Sequence, residues 1–390
     1  MRTARAVLLL ACAALVLSAC DGSEPPRTDD RPSCKWVIGT MGPLSGDGSE
    51  ESVRVFRAIE LAVDTTTERS NPPCDLELAS EDTAGDVNRA RARARALVEN
   101  ERLVACICPY RSVEALVSGT VFSSRGVLMA GTGSADEIVN QGFETWFRVI
   151  PNETAQAGAT AAYISRGLKP EAVAVIDDGS NQGVALADAV EALLGDRATE
   201  RASLATTDAG SFATDLGDTP PEVVYYAGAG GAAGQVTAAL TEAKVQSLVV
   251  VSGAEPGAVP TPAELGAAAN VLIMCPCVDP AAVAEGADLV DAYTRAYDEL
   301  PGMFTTEAFD ATRLVISTLA ELTGEEPIEE VRSAVTTRFD EAEGARGISG
   351  TFEWDEGGEL QVDPLDAVWV YEWDPKRGGF TPTGPVSGLI

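Results

Sequence analysis

The chain has 390 residues, a formal net charge of −32 and no histidine. The acidity repels phosphate backbones and so excludes nucleic acid as a partner, and the missing histidine removes every Ser-His-Asp, Cys-His and histidine–metal arrangement. At this length two ordinary α/β domains with substantial cores fit comfortably.

Arg2 and Arg5 precede an apolar run from Ala6 to Ala19, too short to span a bilayer and shaped like an export signal (residues 1–19). "LSAC" resembles the bacterial lipobox, so Cys20 is expected to become a lipidated mature N-terminus. Residues 20–33 carry Pro25, Pro26 and Pro32 without apolar periodicity, which predicts a solvated tether. The chain is therefore expected to be exported and moored by lipid to the outer face of a membrane.

"WVIGTMG" (36–42) reads as a strand, and Glu51–Glu68 as a helix with Val55, Phe56, Ile59, Ala62 and Val63 on one face. "CDLELAS" is a strand, and "GDVNRARARARALVEN" a helix whose arginines form a solvated face. "RLVACICP", "VLMAG" and "TWFRVI" continue as strands. Helix "RSVEALVSGTVFSSRG" and short helix "ADEIVNQ" lie between them. A second series starts at Pro151 with helix "ETAQAGATAAYISRGL", strand "EAVAVIDD" and helix "NQGVALADAVEALLG". It continues through a strand near Ala202, "EVVYYAG", helix "GAAGQVTAALTEAK", "SLVVVSG" and "NVLIMCP". Helices are predicted over 281–299 and 305–322, and "DAVWVYEW" is a late strand. This alternation predicts an α/β chain of two doubly wound parallel-sheet lobes joined by a hinge of several crossings. Ligands bind such sheets at the strand carboxyl ends, so a cleft between two facing lobes is the expected site.

Beyond Cys20 there are six cysteines, an even number that favours disulfides in an exported chain. Cys34 and Cys74 begin strands that neighbour each other in a doubly wound sheet, so they are expected to pair. Cys106 and Cys108 share one strand face, as do Cys275 and Cys277. A cross-link between these two pairs is plausible, but three pairings of four cysteines stay open. No metal or cofactor is expected, since Cys-x-Cys is not the usual zinc spacing.

"FRVIPNETAQAGATAAYI", "VAVIDDGSNQG", "EAFDATRL" and "GTFEWDEGGEL" occur in the order and at the separations found in type I periplasmic binding proteins. The chain resembles most closely their branched-chain amino-acid binding group, from Lys35 to about Asp374. The resemblance implies the type I periplasmic binding protein fold. Lobe 1 is then expected over 34–149 plus 278–350, lobe 2 over 150–277 plus 351–382, and a C-terminal tail over 383–390. It further implies that Ser112, Thr132, Gly133 and Ser134 hold the ligand's charged groups. Ser112 and Ser134 also stand where helices begin, so they could simply cap them. Where the family carries aromatic residues this chain has Glu51, Gln182 and Ala229, so the pocket is either enlarged for a bulkier or polar ligand or closed by other contacts. Glu51 is expected at the surface, with pairing to a cationic group as the alternative. Glu255 is expected to receive an ammonium. The implied function is a non-enzymatic substrate-binding lipoprotein of an ABC importer, capturing a small amino acid or amide-like solute and delivering it to a membrane permease. A membrane-tethered sensor of the same fold is the alternative.

Overall fold

The computed structural model of the chain describes residues 34–390 except 47, 48, 109, 269 and 377. Cys20, the export signal and the tether lie outside the described residues. The first series comprises β1 (Lys35–Gly42), α1 (Glu50–Ser70), β2 (Asp75–Asp82), α2 (Val87–Val98), β3 (Leu103–Ile107), α3 (Ser112–Ser123), β4 (Leu128–Gly131) and β5 (Trp146–Arg148). The second begins with α4 (Glu153–Ala162), β6 (Val173–Asp177), α5 (Asn181–Leu194), β7 (Ala198–Ser203) and α6 (Ala209–Asp215). It continues with β8 (Val223–Ala227), α7 (Gly230–Glu242), β9 (Leu248–Ser252), α8 (Pro262–Leu265) and β10 (Val271–Cys275). The chain then supplies α9 (Ala287–Tyr297), α10 (Thr305–Leu319), α11 (Ile328–Asp340), β11 (Ala345–Arg346) and β12 (Thr351–Phe352). It ends with α12 (Pro364–Ala367), β13 (Trp369–Asp374) and β14 (Gly379–Pro385).

The strands form a five-stranded parallel sheet in the order β2-β1-β3-β4-β5 and a seven-stranded sheet in the order β14-β13-β10-β9-β8-β6-β7. In the second sheet, the pairs formed by β6 to β10 are parallel, and β13 and β14 close one edge antiparallel. β3, β6 and β8 are buried along their whole length, as expected of strands covered by helices on both faces. Helix α1 turns Val55, Ile59, Ala62 and Val63 into the core and stops at Asn71, whose φ of 49° is left-handed. Asp86 opens α2 by accepting from the Asn88 and Arg89 amides.

Several boundaries differ from expectation. Residues 351–361, expected in lobe 2, remain on the first sheet: Phe352 and Trp354 stack with Phe339 and Phe147 nearby, and Trp354 Nε1 donates to the Arg148 carbonyl at 2.6 Å. The expected tail is the end of β14, followed by a turn that buries Val386. Prolines are tolerated there because β14 is an edge strand. The helix expected from Ala281 starts at Ala287, after two short 3-10 turns.

The register places Lys35 opposite Asp75, which brings Cys34 beside Cys74, and the two sulfurs are bonded across a Cα separation of 4.8 Å. The other four cysteines pair within their own Cys-x-Cys segments, Cys106 with Cys108 and Cys275 with Cys277. Of the three pairings left open above, this is the one without a cross-link between the pairs: Cys106 belongs to the first sheet and Cys275 to the second. Among the described residues no helix is long and apolar enough to cross a membrane.

Candidate functional site

The loops that follow β3, β4, β6 and β9 converge at one point between the sheets. Ser112 is the first residue of α3, where backbone N–H groups lack partners within the helix. Its N–H donates to Glu255 Oε2 at 2.8 Å and its Oγ donates to the same oxygen at 2.6 Å. Glu255 comes from the other lobe, just past β9. The Ser112 hydroxyl also accepts from the Ser134 and Ala135 amides, at 2.9 and 3.0 Å. Ser112 thus ties two loops together, and this is more than capping a helix. Gln182, on the first turn of α5, donates to Ser134 Oγ at 2.7 Å and reaches Ser112 Oγ at 3.4 Å. Ser112, Ser134 and Glu255 are all buried.

Four of the expected site residues therefore meet, two from each lobe. Glu255 Oε2 takes both Ser112 donors, which joins the two lobes at this point. Gly133 packs on Ser112, where an added Cβ would lie 3.1 Å from the Ser112 Cα. Thr132 is buried, with its hydroxyl donating to the Tyr110 carbonyl at 3.0 Å, so it supports the turn.

Arg148, at the end of β5, was not singled out in the sequence, yet it holds this turn in place. It is fully buried and donates to the carbonyls of Gly133 and Ala135. Its Nε and Nη2 also donate to Glu359, at 3.0 and 2.7 Å. Three further charged residues escaped the sequence reading. Burial raises Glu153 to about 7, against a hydrogen bond from Gln182 that favours the ionised form. Burial also raises Glu114 to about 7, opposed by its bond from Thr83 and by Arg111. Arg111 lies under Gly257, where an added Cβ would come within 3.1 Å of its Nε. Linear sequence carries the charges of Glu114 and Glu153 but no sign that they are buried.

Ala229 and Glu51 lie apart from this cluster. Ala229 is exposed at the start of α7, its amide donating to Asp178 at 2.8 Å. The neighbouring Gly228, at φ 144°, lies so close to Asp178 that a Cβ would come within 2.3 Å of it. Glu51 corrects an expectation, since its side chain is only 11 % exposed rather than at the surface. It lines a cavity of about 330 Å³ bounded by the start of α1, the Glu299–Met303 segment, Val259–Pro262 and the β13–β14 hairpin. Arg54 donates to its Oε2 at 3.0 Å, while Oε1 is buried against the Gly302–Met303 backbone. Burial raises Glu51 to about 7 even with Arg54 beside it.

Two α/β lobes that share buried polar contacts at the carboxyl ends of their strands define a two-lobed solute-binding fold. A family model described as Periplasmic binding protein matches residues 35–378, and the chain belongs to that family. It is 25% identical over 353 residues to an amino acid binding protein of Pseudomonas aeruginosa, covering 87% of this chain and 90% of that one. A Leu/Ile/Val-binding protein homolog of Brucella melitensis is 26% identical over 221 residues, 55% of this chain and 60% of that one. Among solved structures, LivJ of Streptococcus pneumoniae in complex with isoleucine superposes with a TM-score of 0.75 at 17% identity, covering 90% of this chain and 98% of that one. A solute-binding protein of R. palustris in complex with benzoate gives a TM-score of 0.73 at 16% identity, with 91% and 96% covered. These structures share the fold. Family membership places the chain among exported solute-binding proteins, which are not enzymes.

Proposed function

We propose that the chain is the substrate-binding lipoprotein of an ABC importer, tethered through Cys20, and that it captures a small amino acid or amide-like solute by closure of the two lobes. The observation that carries this reading is the meeting of Ser112 and Ser134 from one lobe with Gln182 and Glu255 from the other. A ligand placed among such groups gains contacts from both lobes only when they are together, which is what couples binding to closure. The relatives support the chemistry, being an amino acid binding protein and a Leu/Ile/Val-binding protein homolog by name. The test is a thermal-shift screen across amino acids, amides, ureas and small aromatic acids, because a ligand of the native state raises the midpoint. One class should stabilise the protein in proportion to the logarithm of its concentration. A flat response throughout would reject the solute-binding reading.

A further inference from the structure

The chain crosses between the lobes near Pro151, near Pro276 and near Val362, and the second crossing is held from both sides within two residues. Tyr371 of β13, in the second sheet, donates its hydroxyl to the Cys277 carbonyl at 3.0 Å. The next residue, Val278, is taken by α10: Thr306 Oγ1 donates to its carbonyl and Glu307 Oε1 accepts from its N–H, each at 2.8 Å. The chain therefore passes from one lobe's grip to the other's between Cys277 and Val278. The Cys275–Cys277 bond closes the end of β10 just before that point. Phe304 precedes α10, fully buried at a left-handed φ of 64°, a conformation that a bulky residue keeps only where its surroundings impose it.

Thr306 and Glu307 are buried. Glu307 also lines a cavity of about 30 Å³, enough for about one water and too small for a solute. Pro151, Pro276 and Val362 bring the three crossings together around it, and Glu307 is the one titratable residue among the described residues lining it. Its Oε2 is buried with no partner beyond its own residue's N–H. Burial raises Glu307 to about 8, against the bond from Val278. The titratable groups facing it are Asp310, one turn along α10, and Tyr371 on β13. Asp310 raises it further and is itself bound by Ser349 beside Arg313. Neither group offers a counter-charge, so the carboxyl keeps its proton while it holds Val278.

Resting on the solute-binding reading, we propose that Thr306 and Glu307 are positioning residues for solute capture: protonated Glu307 and Thr306 clasp the Val278 crossing and set the lobes so that Ser112 meets Glu255. An ionised Glu307 needs more water than this place admits, so losing the proton releases the crossing and lets the lobes part. Once released, Glu307 returns towards its ordinary value of 4.5. The clasp is then fully favoured below about pH 4.5, weakens by up to tenfold per pH unit above it, and levels beyond about pH 8.

The experiment is amide hydrogen exchange of the full chain at about pH 5.5, 7 and 8.5, with each rate divided by that of an unstructured peptide at the same pH. The Val278 amide reports the clasp. The Ser112 amide, which donates across to Glu255, reports the approach of the lobes, and Val224, buried in β8, reports global unfolding. Protection at Val278 and Ser112 should fall about tenfold or more over this range, and by more than at Val224. Glu307→Gln matches the protonated acid in shape and keeps the acceptor for Val278. It should flatten the Val278 profile and reduce the slope at Ser112, where Glu114 and Glu153 supply the remainder. Thr306→Val should lower protection at both amides about fivefold at every pH. A Ser112 profile unchanged by Glu307→Gln, or one that only follows Val224, overturns the proposal whatever the solute screen finds. A flat solute screen beside the expected exchange profiles rejects the solute-binding reading and leaves the clasp itself in place.

Discussion

Replacing Arg148 tests whether the ligand-side turn is held from behind. Arg148→Met keeps an unbranched apolar stem but removes every donor. The Gly133 and Ala135 carbonyls then lose their partner, and the Glu359 carboxylate, only 13 % exposed, loses its counter-charge. Breaking one side of a buried ion pair costs about 3–5 kcal/mol. That is a rise of roughly two to four powers of ten in the unfolded fraction. Glu359→Gln removes the charge but keeps an acceptor for Arg148 and should cost less, about 1–3 kcal/mol. The double variant should then cost less than the two single ones added, because neither charge is left stranded. The assay is urea denaturation of the four proteins at neutral pH, with ligand titration of those that fold. Binding should weaken in Arg148→Met, since Ser134 loses its fixed position. A loss below about 1 kcal/mol, or strictly additive effects, would show that Arg148 is a bystander to the turn.

Ser112→Ala with Ser134→Ala should weaken binding of any stabilising solute that the screen finds; an unchanged dissociation constant in a folded double variant would exclude both from the site. Cys20→Ser should release the protein from the membrane fraction, and persistence there after a carbonate wash would refute the lipid tether. Non-reducing peptide mapping should yield a Cys34–Cys74 peptide, and losing that link across 40 residues should cost on the order of 3–4 kcal/mol. Stability should fall between about pH 4.5 and pH 8. Glu51, Glu114 and Glu153 sit near 7 and Glu307 near 8 when folded, so the folded state binds more protons than the unfolded one across that window. A denaturation midpoint that is higher at pH 8 than at pH 5.5 would refute the assignment of these groups as buried.

Much of this architecture was legible because strands and helices of an α/β chain carry their own periodicity. The alternation from Trp36 onward, and the apolar face of α1, led directly to two parallel sheets. Most of what was missed lacked a local signal or had it diluted. β14, "GFTPTGP", reads as a turn because glycine and proline dominate it, yet pairing with β13 fixes it as an edge strand. α6 is short, with only Phe212 and Ala213 buried. α11 did carry a signal, Val331, Val335 and Phe339 at four-residue spacing, and it was passed over. The Cys-x-Cys pairings were left open because four cysteines allow three of them; residues two apart in an extended strand lie at nearly 7 Å, and the chain narrows to 5.3 and 5.2 Å at these two segments.

The site divides along a different line. Ser112 and Ser134 were reachable from sequence, because a strand end followed by a helix start places donors predictably. Arg148 and Glu359 were not, since 211 residues separate them and either charge alone reads as surface. Glu255 shows why position and role must be kept apart. Its place just past β9 is legible in the sequence, but only the structure shows that its Oε2 takes both the Ser112 N–H and the Ser112 hydroxyl, which makes the start of α3 part of the contact between the lobes.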